Sequence, residues 1–264
     1  MIEPRVRIET ADHVATVILS RPEKHNALDR AMFEGILDAA AEVGSTPGVR
    51  AVVLRGDGPS FCSGLDIASL MSSPDGIESI VERNGHRANV AQRVATDWLD
   101  LPVPVIVAIH GNCFGGGLQI ALGGDIRIAA PDARLCVMEA KWGLVPDMAI
   151  TSTLPRLVRS DVARELTYTA RIVSGSEAAE LGLVTRTADD PAAAAQALAT
   201  EIAARSPDAV RAAKRLYSEA WDAPADEALV LETELQIALM GSPNQIAAVT
   251  AGMTKQPAEF TDPA

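Results

Sequence analysis

Apolar and polar positions alternate near the start of the chain, with Val6 and Ile8, then Val14, Thr16, Ile18 and Leu19, around the polar pair Asp12-His13. That spacing predicts two short strands joined as a hairpin. After the polar stretch Arg21–Leu28 the period changes. Met32, Phe33, Ile36, Ala40 and Val43 recur at helical spacing, and Asp29 stands where an N-cap belongs. Ala51-Val52-Val53-Leu54 reads as the next strand and leads into a loop of small residues from Gly56 to Asp66. Gly76 to Leu99 is polar with scattered apolar positions, which predicts a mobile surface segment leading into a helix. Val105–Ile109 is apolar throughout, too short for a helix and bounded by Pro104 and Gly111. This is the pattern of a strand buried on both faces. A glycine-dense turn, Gly111 to Gly117, then gives way to Leu118, Ile120, Ala121 and Leu122, expected as a short buried helix.

Further on, Ile126–Ala130 and Ala133–Met138 read as two more strands, and Glu139–Asp147 as a loop. Helices are expected over Met148–Leu157, Ser160–Ala170 and Ser176–Leu181, with a last strand over Leu183–Arg186. From Pro191 onward only helical patterns remain: to Ala204, then Pro207–Trp221 and Glu227–Met240. Strands alternate with helices through the first two thirds, and helices fill the last third. The expectation is an α/β core over residues 1–205 and a helical region over residues 206–264.

Composition narrows this picture. The 264 residues are 48% hydrophobic but only 3% aromatic, so the core must be built from Ala, Val, Leu and Ile. A formal net charge of −12 argues against non-specific binding to nucleic acid. Three cysteines, Cys62, Cys113 and Cys136, form no CxxC pair and read as buried thiols in a reducing compartment. The opening MIEPRVRIET has no apolar signal core, and no run of about 18 apolar residues occurs, so a cytoplasmic protein with no membrane span is expected.

The candidate chemistry lies in the glycine turn. A strand that turns on Gly115-Gly116-Gly117 into a helix start sets free backbone N–H groups side by side, at the positive end of the helix dipole. Such groups hold an anion, or a carbonyl oxygen that becomes one during reaction. A Walker loop is excluded because Leu118 follows Gly117 where Lys and Ser or Thr are required. The G-x-G-x-x-G fingerprint does not fit, and no G-x-S-x-G elbow occurs. An oxyanion hole and a plain packing turn remain as readings of the turn alone.

Three pieces line up along the chain: R-P-E-K-H-N-A-L at Arg21–Leu28, F-C-S-G-L-D-I at Phe61–Ile67 and H-G-N-C-F-G-G-G-L-Q at His110–Gln119. In this order they resemble the enoyl-CoA hydratase/isomerase (crotonase) superfamily, and the resemblance runs on to A-G-M-T-K-Q-P-A-E-F near the end. It implies an α/β fold, a ClpP/crotonase-like spiral of repeated β-β-α units with a C-terminal α-helical trimerisation region. The implied assembly is a homotrimer or hexamer. The implied partner is an acyl-CoA thioester, with no cofactor beyond the coenzyme A of the substrate.

Carried over residue by residue, the resemblance assigns the N–H groups of Leu65 and Gly116 to an oxyanion hole for the thioester carbonyl. It places Lys24, Ala27 and Leu28 toward the adenine end of coenzyme A, and Ser63, Gly64, Asp66, Ile67, Gly117 and Pro146 around the substrate. Lys24 read by itself is equally a solvated charge, and Asp66 a helix cap. His110 reads as a turn or core histidine. With only Cys113 nearby it makes no metal site.

Hydratases of the family hold water between two glutamates. The first position is Gln119 in this chain, and an amide orients a group but takes no proton at neutral pH. The second, twenty residues on, is Glu139, and Asp147 follows eight residues later, where dienoyl-CoA isomerases of the family carry an acid. The implied activity is double-bond isomerisation of an enoyl- or dienoyl-CoA through a stabilised enolate. The alternatives are a hydratase with Gln119 replacing one glutamate, or a low-activity scaffold that binds CoA thioesters. Asp147 also reads as an N-cap for a helix starting at Met148.

Overall fold

The alternating residues at the start do close into a hairpin: β1 (Val6–Ala11) and β2 (Val14–Leu19) pair antiparallel, with Ala11 opposite Val14. Asp12 and His13 both take positive φ, the backbone that a two-residue hairpin turn requires. This computed structural model describes residues 4–72 and 76–263; the first three residues of the opening MIEPRVRIET lie outside the described residues. Asp29 caps α1 (Arg30–Ser45) by accepting the Met32 N–H at 2.9 Å, and the buried face carries Met32, Phe33, Ile36, Ala40 and Val43. Then come β3 (Ala51–Gly56), α2 (Ile67–Ser72), α3 (Gly76–Val81) and α4 (Val90–Leu99). Gly76 to Leu99 therefore carries two helices where its mixed pattern predicts one. A capping box joins Asn89 to Gln92 and opens α4, which buries Ala91, Val94, Ala95 and Trp98.

β4 (Val105–Ile109) is buried along its whole length. A sharp turn leads to β5 (Asn112–Phe114), then α5 (Gly116–Leu122), β6 (Ile126–Ala129) and β7 (Arg134–Cys136). The turn needs glycine: Gly111 has φ +55, and a Cβ there would lie 2.0 Å from the Pro59 carbonyl oxygen. Of the strand expected over Ala133–Met138, only the three residues of β7 pair, because Met138 already enters a 3-10 turn over Glu139–Trp142.

The helix expected over Met148–Leu157 is broken. α6 (Ile150–Thr153) lasts one turn and a 3-10 turn over Leu154–Arg156 follows. Ala149 sits left-handed at φ 67, and Pro155 has no N–H to continue the ladder. After α7 (Ser160–Thr169), β8 (Val173–Ser174) and α8 (Gly175–Leu181), the last strand, β9 (Arg186–Thr187), starts later than expected. The N–H groups of Leu183 and Val184 return to Ala178 to close α8. The chain ends in α9 (Pro191–Ala203), α10 (Pro207–Ala220), α11 (Ala225–Leu239) and α12 (Pro243–Thr254).

One sheet runs in the order β1-β2-β3-β4-β6-β9, parallel except for the first pair, and a second in the order β5-β7-β8. Successive residues of the central strands serve opposite cores. Val52, Leu54, Val105 and Val107 join the large core with α1, α4 and α5, whereas Val53, Ile106 and Ala108 face the alanine stripe Ala195, Ala199 and Ala203 of α9. This is how a chain poor in aromatics fills its interior: small residues let α9 lie close to the sheet.

Candidate active site

Two loops meet backbone to backbone beside α5. The segment after β3 joins β5 through Phe61 N–H to the His110 carbonyl at 2.8 Å, Cys62 N–H to Asn112 at 3.0 Å, and Phe114 N–H back to Cys62 at 3.0 Å. Gly64 follows with φ +90, and a Cβ on it would stand 2.8 Å from the Phe114 carbonyl oxygen and 3.7 Å from the Gly116 nitrogen. Leu28 donates to the Gly64 carbonyl at 2.8 Å and accepts the Asp66 N–H at 3.0 Å, which spans Leu65 without using its N–H. Among the described residues, the N–H groups of Leu65 and Gly116 donate to no other group of the chain. Both residues line one cleft of about 110 Å³, together with Ser63, Gly64, Glu139, Trp142 and Leu144.

Gly116 is glycine for a reason other than ligand approach. A Cβ there would meet the Met148 sulfur at 2.8 Å and Leu28 Cδ1 at 3.0 Å, both within the core. Gly117 likewise backs onto Cys62, whose carbonyl oxygen would lie 2.5 Å from an added Cβ. It faces packing and not the cleft.

Gln119, 1% exposed, accepts the Met148 N–H on Oε1 at 2.8 Å and donates from Nε2 to Glu139 Oε1 at 2.7 Å. Glu139 Oε2 is buried and has no partner among the described residues. Burial pushes the Glu139 carboxyl above the ordinary carboxylate range; backbone N–H groups and the Gln119 amide counter part of this, and the charge of Asp147 adds to it. Asp147 does not cap a helix, since α6 begins after Ala149 and has no side-chain cap. It is exposed and lines an adjoining cavity of about 270 Å³ walled by Leu70, Ile80, Ala91 and Met148. Leu65, Ile67 and Leu144 line both spaces. Pro146 lies in the loop between Leu144 and Asp147 and lines neither.

The residues assigned to the nucleotide end part company. Lys24 is exposed on a 3-10 turn, and its carbonyl accepts the Ser63 hydroxyl at 3.3 Å. Ala27 is nearly buried and Leu28 wholly so, which leaves the Leu28 side chain to the core. Asp66 caps α2 by accepting the Ser69 N–H at 3.1 Å and pairs with Arg21 at 2.9 Å. Burial opposes its charge, but these two partners outweigh it and hold the carboxyl below its usual range. His110 Nε2 donates to the Gly58 carbonyl at 2.8 Å, and so belongs to the loop.

Two residues of the first motif matter more than their types suggest. Asn26 is fully buried and donates to the carbonyls of Asp57, Ser60 and Phe61 while accepting the Arg21 N–H at 2.7 Å. Arg21 donates to the Ala27 carbonyl at 3.0 Å and bridges toward Asp29 and Asp66. Together they lock the first loop onto the second. The available signal was a polar run placed between strong apolar elements, which says only that a loop is present.

The cleft thus combines unengaged N–H groups from two loops with a mostly buried carboxylate. The enoyl-CoA hydratase/isomerase family model matches residues 9–263. The mitochondrial Delta(3,5)-Delta(2,4)-dienoyl-CoA isomerase of Mus musculus is 34% identical over 253 residues, 92% of this chain and 77% of that one. Enoyl-CoA hydratase EchA19 of Mycobacterium tuberculosis is 31% identical over 236 residues, covering 89% and 88%. The crystal structure of an enoyl-CoA hydratase from Bacillus anthracis superposes with a TM-score of 0.88 at 28% identity, over 97% of this chain and 98% of that one. The chain belongs to the enoyl-CoA hydratase/isomerase family and has the crotonase fold. It is an enzyme of that family, which acts on acyl-CoA thioesters. Among the described residues no helix is long and apolar enough to cross a membrane.

Proposed function

We propose that this enzyme moves a double bond in an enoyl- or dienoyl-CoA thioester. The thioester oxygen lies between the N–H groups of Leu65 and Gly116, and Glu139 removes the α-proton. Loss of that proton sends charge to the thioester oxygen, where each fixed donor is worth roughly 3–4 kcal/mol of barrier. The observation that carries this reading is the engagement of Gln119 at both ends, to Met148 and to Glu139. Addition of water in this family relies on two carboxylates, and here an amide with no useful basicity fills one of the positions. The acyl chain follows the aliphatic cavity beyond Leu65 and Ile67, with Asp147 placed along the chain and away from the thioester. Ser63 lines the cleft and its hydroxyl bonds the carbonyl of exposed Lys24, which supports reading this side as the one the nucleotide takes.

Hydration is the second reading, supported by relatives named as hydratases. Incubation with 2-enoyl-, 3-enoyl- and dienoyl-CoA thioesters decides between them. An absorbance change at constant mass is expected. A gain of one water makes the enzyme a hydratase, and binding without turnover makes it a scaffold.

We extend the proposal to assembly and place: a homotrimer or hexamer in the cytoplasm. Support comes from α11, in which no residue is buried although Leu229, Val230 and Ile237 are all exposed.

A further inference from the structure

The aliphatic cavity of about 270 Å³ beyond Leu65 and Ile67 has a buried floor, in which Leu70, Ile80, Ala91 and Met148 are all less exposed than Ile80 at 7% or equal to it. Exposed Met71 and Val145 line the same cavity on its solvent side. A second space, of about 440 Å³, lies between α1, α3 and α4. The two spaces flank the junction of α3 with α4. Val81 and Ala91 line the first, their chain neighbours Glu82 and Val90 line the second, and Ile80 lines both. The Val90 N–H donates to the Glu82 carbonyl at 3.1 Å and ties the backbone of that junction together.

The two linings differ in kind. Among the described residues, Asp147 is the one charged side chain on the first space, whereas the second carries Arg30, Glu34, Asp38, Glu82 and Arg93. The floor of the first offers neither a donor nor an opposite charge to a charged chain end, which would lose its water there without a partner. A methylene takes the volume of one water in the liquid, about 30 Å³, so the cavity holds up to about nine of them.

We propose that Ile80 ends the acyl cavity and restricts the enzyme to neutral aliphatic acyl chains of medium length, about 8–12 carbons counted from the thioester carbonyl. This rests on the placement of the thioester and the acyl chain given above. The first carbons lie in the cleft beside Leu65 and Gly116, and the rest fill the cavity as far as Ile80. Beyond that length a further methylene gains no burial. It presses Ile80 toward the charged groove, or it passes Met71 and Val145 into water.

The test measures dissociation constants of saturated straight-chain acyl-CoA thioesters, from butanoyl to hexadecanoyl, by titration calorimetry below their micellar concentrations. Saturated chains report binding without turnover. For wild type, affinity is expected to rise about fourfold with each methylene and to level off between the octanoyl and the dodecanoyl thioester. Ile80→Ala gives up three carbons at the wall, so its break is expected about two to three carbons later. Ala91→Val adds two carbons to the floor, so its break is expected about two carbons earlier. If circular dichroism shows Ile80→Ala unfolded, Ile80→Val takes its place with a shift of about one carbon. A thioester of the breaking length that ends in a carboxylate is expected to bind at least ~10-fold more weakly than the neutral chain.

Affinity that climbs steadily to the hexadecanoyl thioester overturns the proposal. So does a break that folded Ile80 variants leave in place, or a carboxylate-ended chain bound as tightly as the neutral one. Affinity indifferent to length overturns it together with the chain path on which it rests. Turnover of the matching 3-enoyl thioesters is read separately. A wild type that converts none of them, yet shows a break that moves with Ile80, loses the isomerase reading and keeps the length limit.

Discussion

Glu139 shows how one side chain is set against its own comfort. Its carboxyl lies in a mostly buried position, so the ionised form that the proposed reaction needs as a base is disfavoured there. Its folded pKa is raised, so the native state holds a proton more firmly than the unfolded chain. Folding stability therefore falls as pH rises from the ordinary carboxylate range through the raised pKa. Glu139→Gln removes that cost together with the base. Turnover is expected to fall at least ~100-fold, the lower end for a lost general base. The melting temperature at neutral pH is expected to stay level or rise, and calorimetry beside the thioester assay reads both. In the wild type, the acid limb of the rate profile is expected above the usual glutamate range. Gly116 is the opposite case. A β-branched side chain there enters the core against Met148 and Leu28, so Gly116→Val is expected to cost about 1–3 kcal/mol of stability. Urea unfolding measures that loss, and a variant as stable as wild type would return Gly116 to the ligand side.

Among elements, α10 is tied to the sheet through a lysine. Lys214 Nζ donates to the carbonyls of Trp98 at 3.2 Å and Val103 at 2.9 Å and to Asp125 Oδ2 at 2.8 Å, joining the helix to the end of α4 and the start of β4. Lys214→Ala takes this donor from the Trp98 and Val103 carbonyls, while Asp125 keeps the Val105 N–H at 2.7 Å, and is expected to cost about 1–3 kcal/mol in denaturant unfolding. The amphipathic pattern gave no hint of this contact, since a lysine on a polar face normally reads as solvated. The elements that were legible are those whose pattern and cap agree: Asp29 with α1, the hairpin, and the apolar β4 between Pro104 and Gly111. Elements were lost where backbone geometry overrode the apolar count. Ala149 in the left-handed region cut the helix expected from Met148, and Leu183 and Val184 went to close α8 instead of pairing as a strand. At the site, the cleft residues Leu65 and Gly116 were marked by their motifs, and Glu139 by its spacing from Gln119. The link from Gln119 to Met148 joins residues far apart in sequence, and no spacing announces it. The burial of Leu28 was likewise invisible from its motif.

For the whole molecule, α11 and α12 present Leu229, Val230, Ile237, Ile246 and Met253 to the outside. An assembly of three or six chains is expected by light scattering, and Val230→Asp with Ile237→Asp should lower the measured mass. A single-chain mass for wild type at micromolar concentration refutes the assembly. The tail is tied to its own core, with Arg50 Nε 2.6 Å from Asp262 and Arg50 Nη2 3.0 Å from the Phe260 carbonyl.

The contact between the two loops carries a last consequence. The stretch after β3 and the stretch around β5 touch through carbonyls, N–H groups and glycines, with no side chain wedged between the Gly64 position and the Gly116 nitrogen. The gap between the two N–H donors therefore has no adjustable spacer. Ordinary substitutions cannot widen or narrow it by degrees, and a bulkier residue at Gly64 breaks the contact outright. On the proposed reading, a lineage built on this frame inherits one fixed way of gripping a thioester. It has only the facing acids and amides, at positions such as Gln119, Glu139 and Asp147, with which to diversify its reactions.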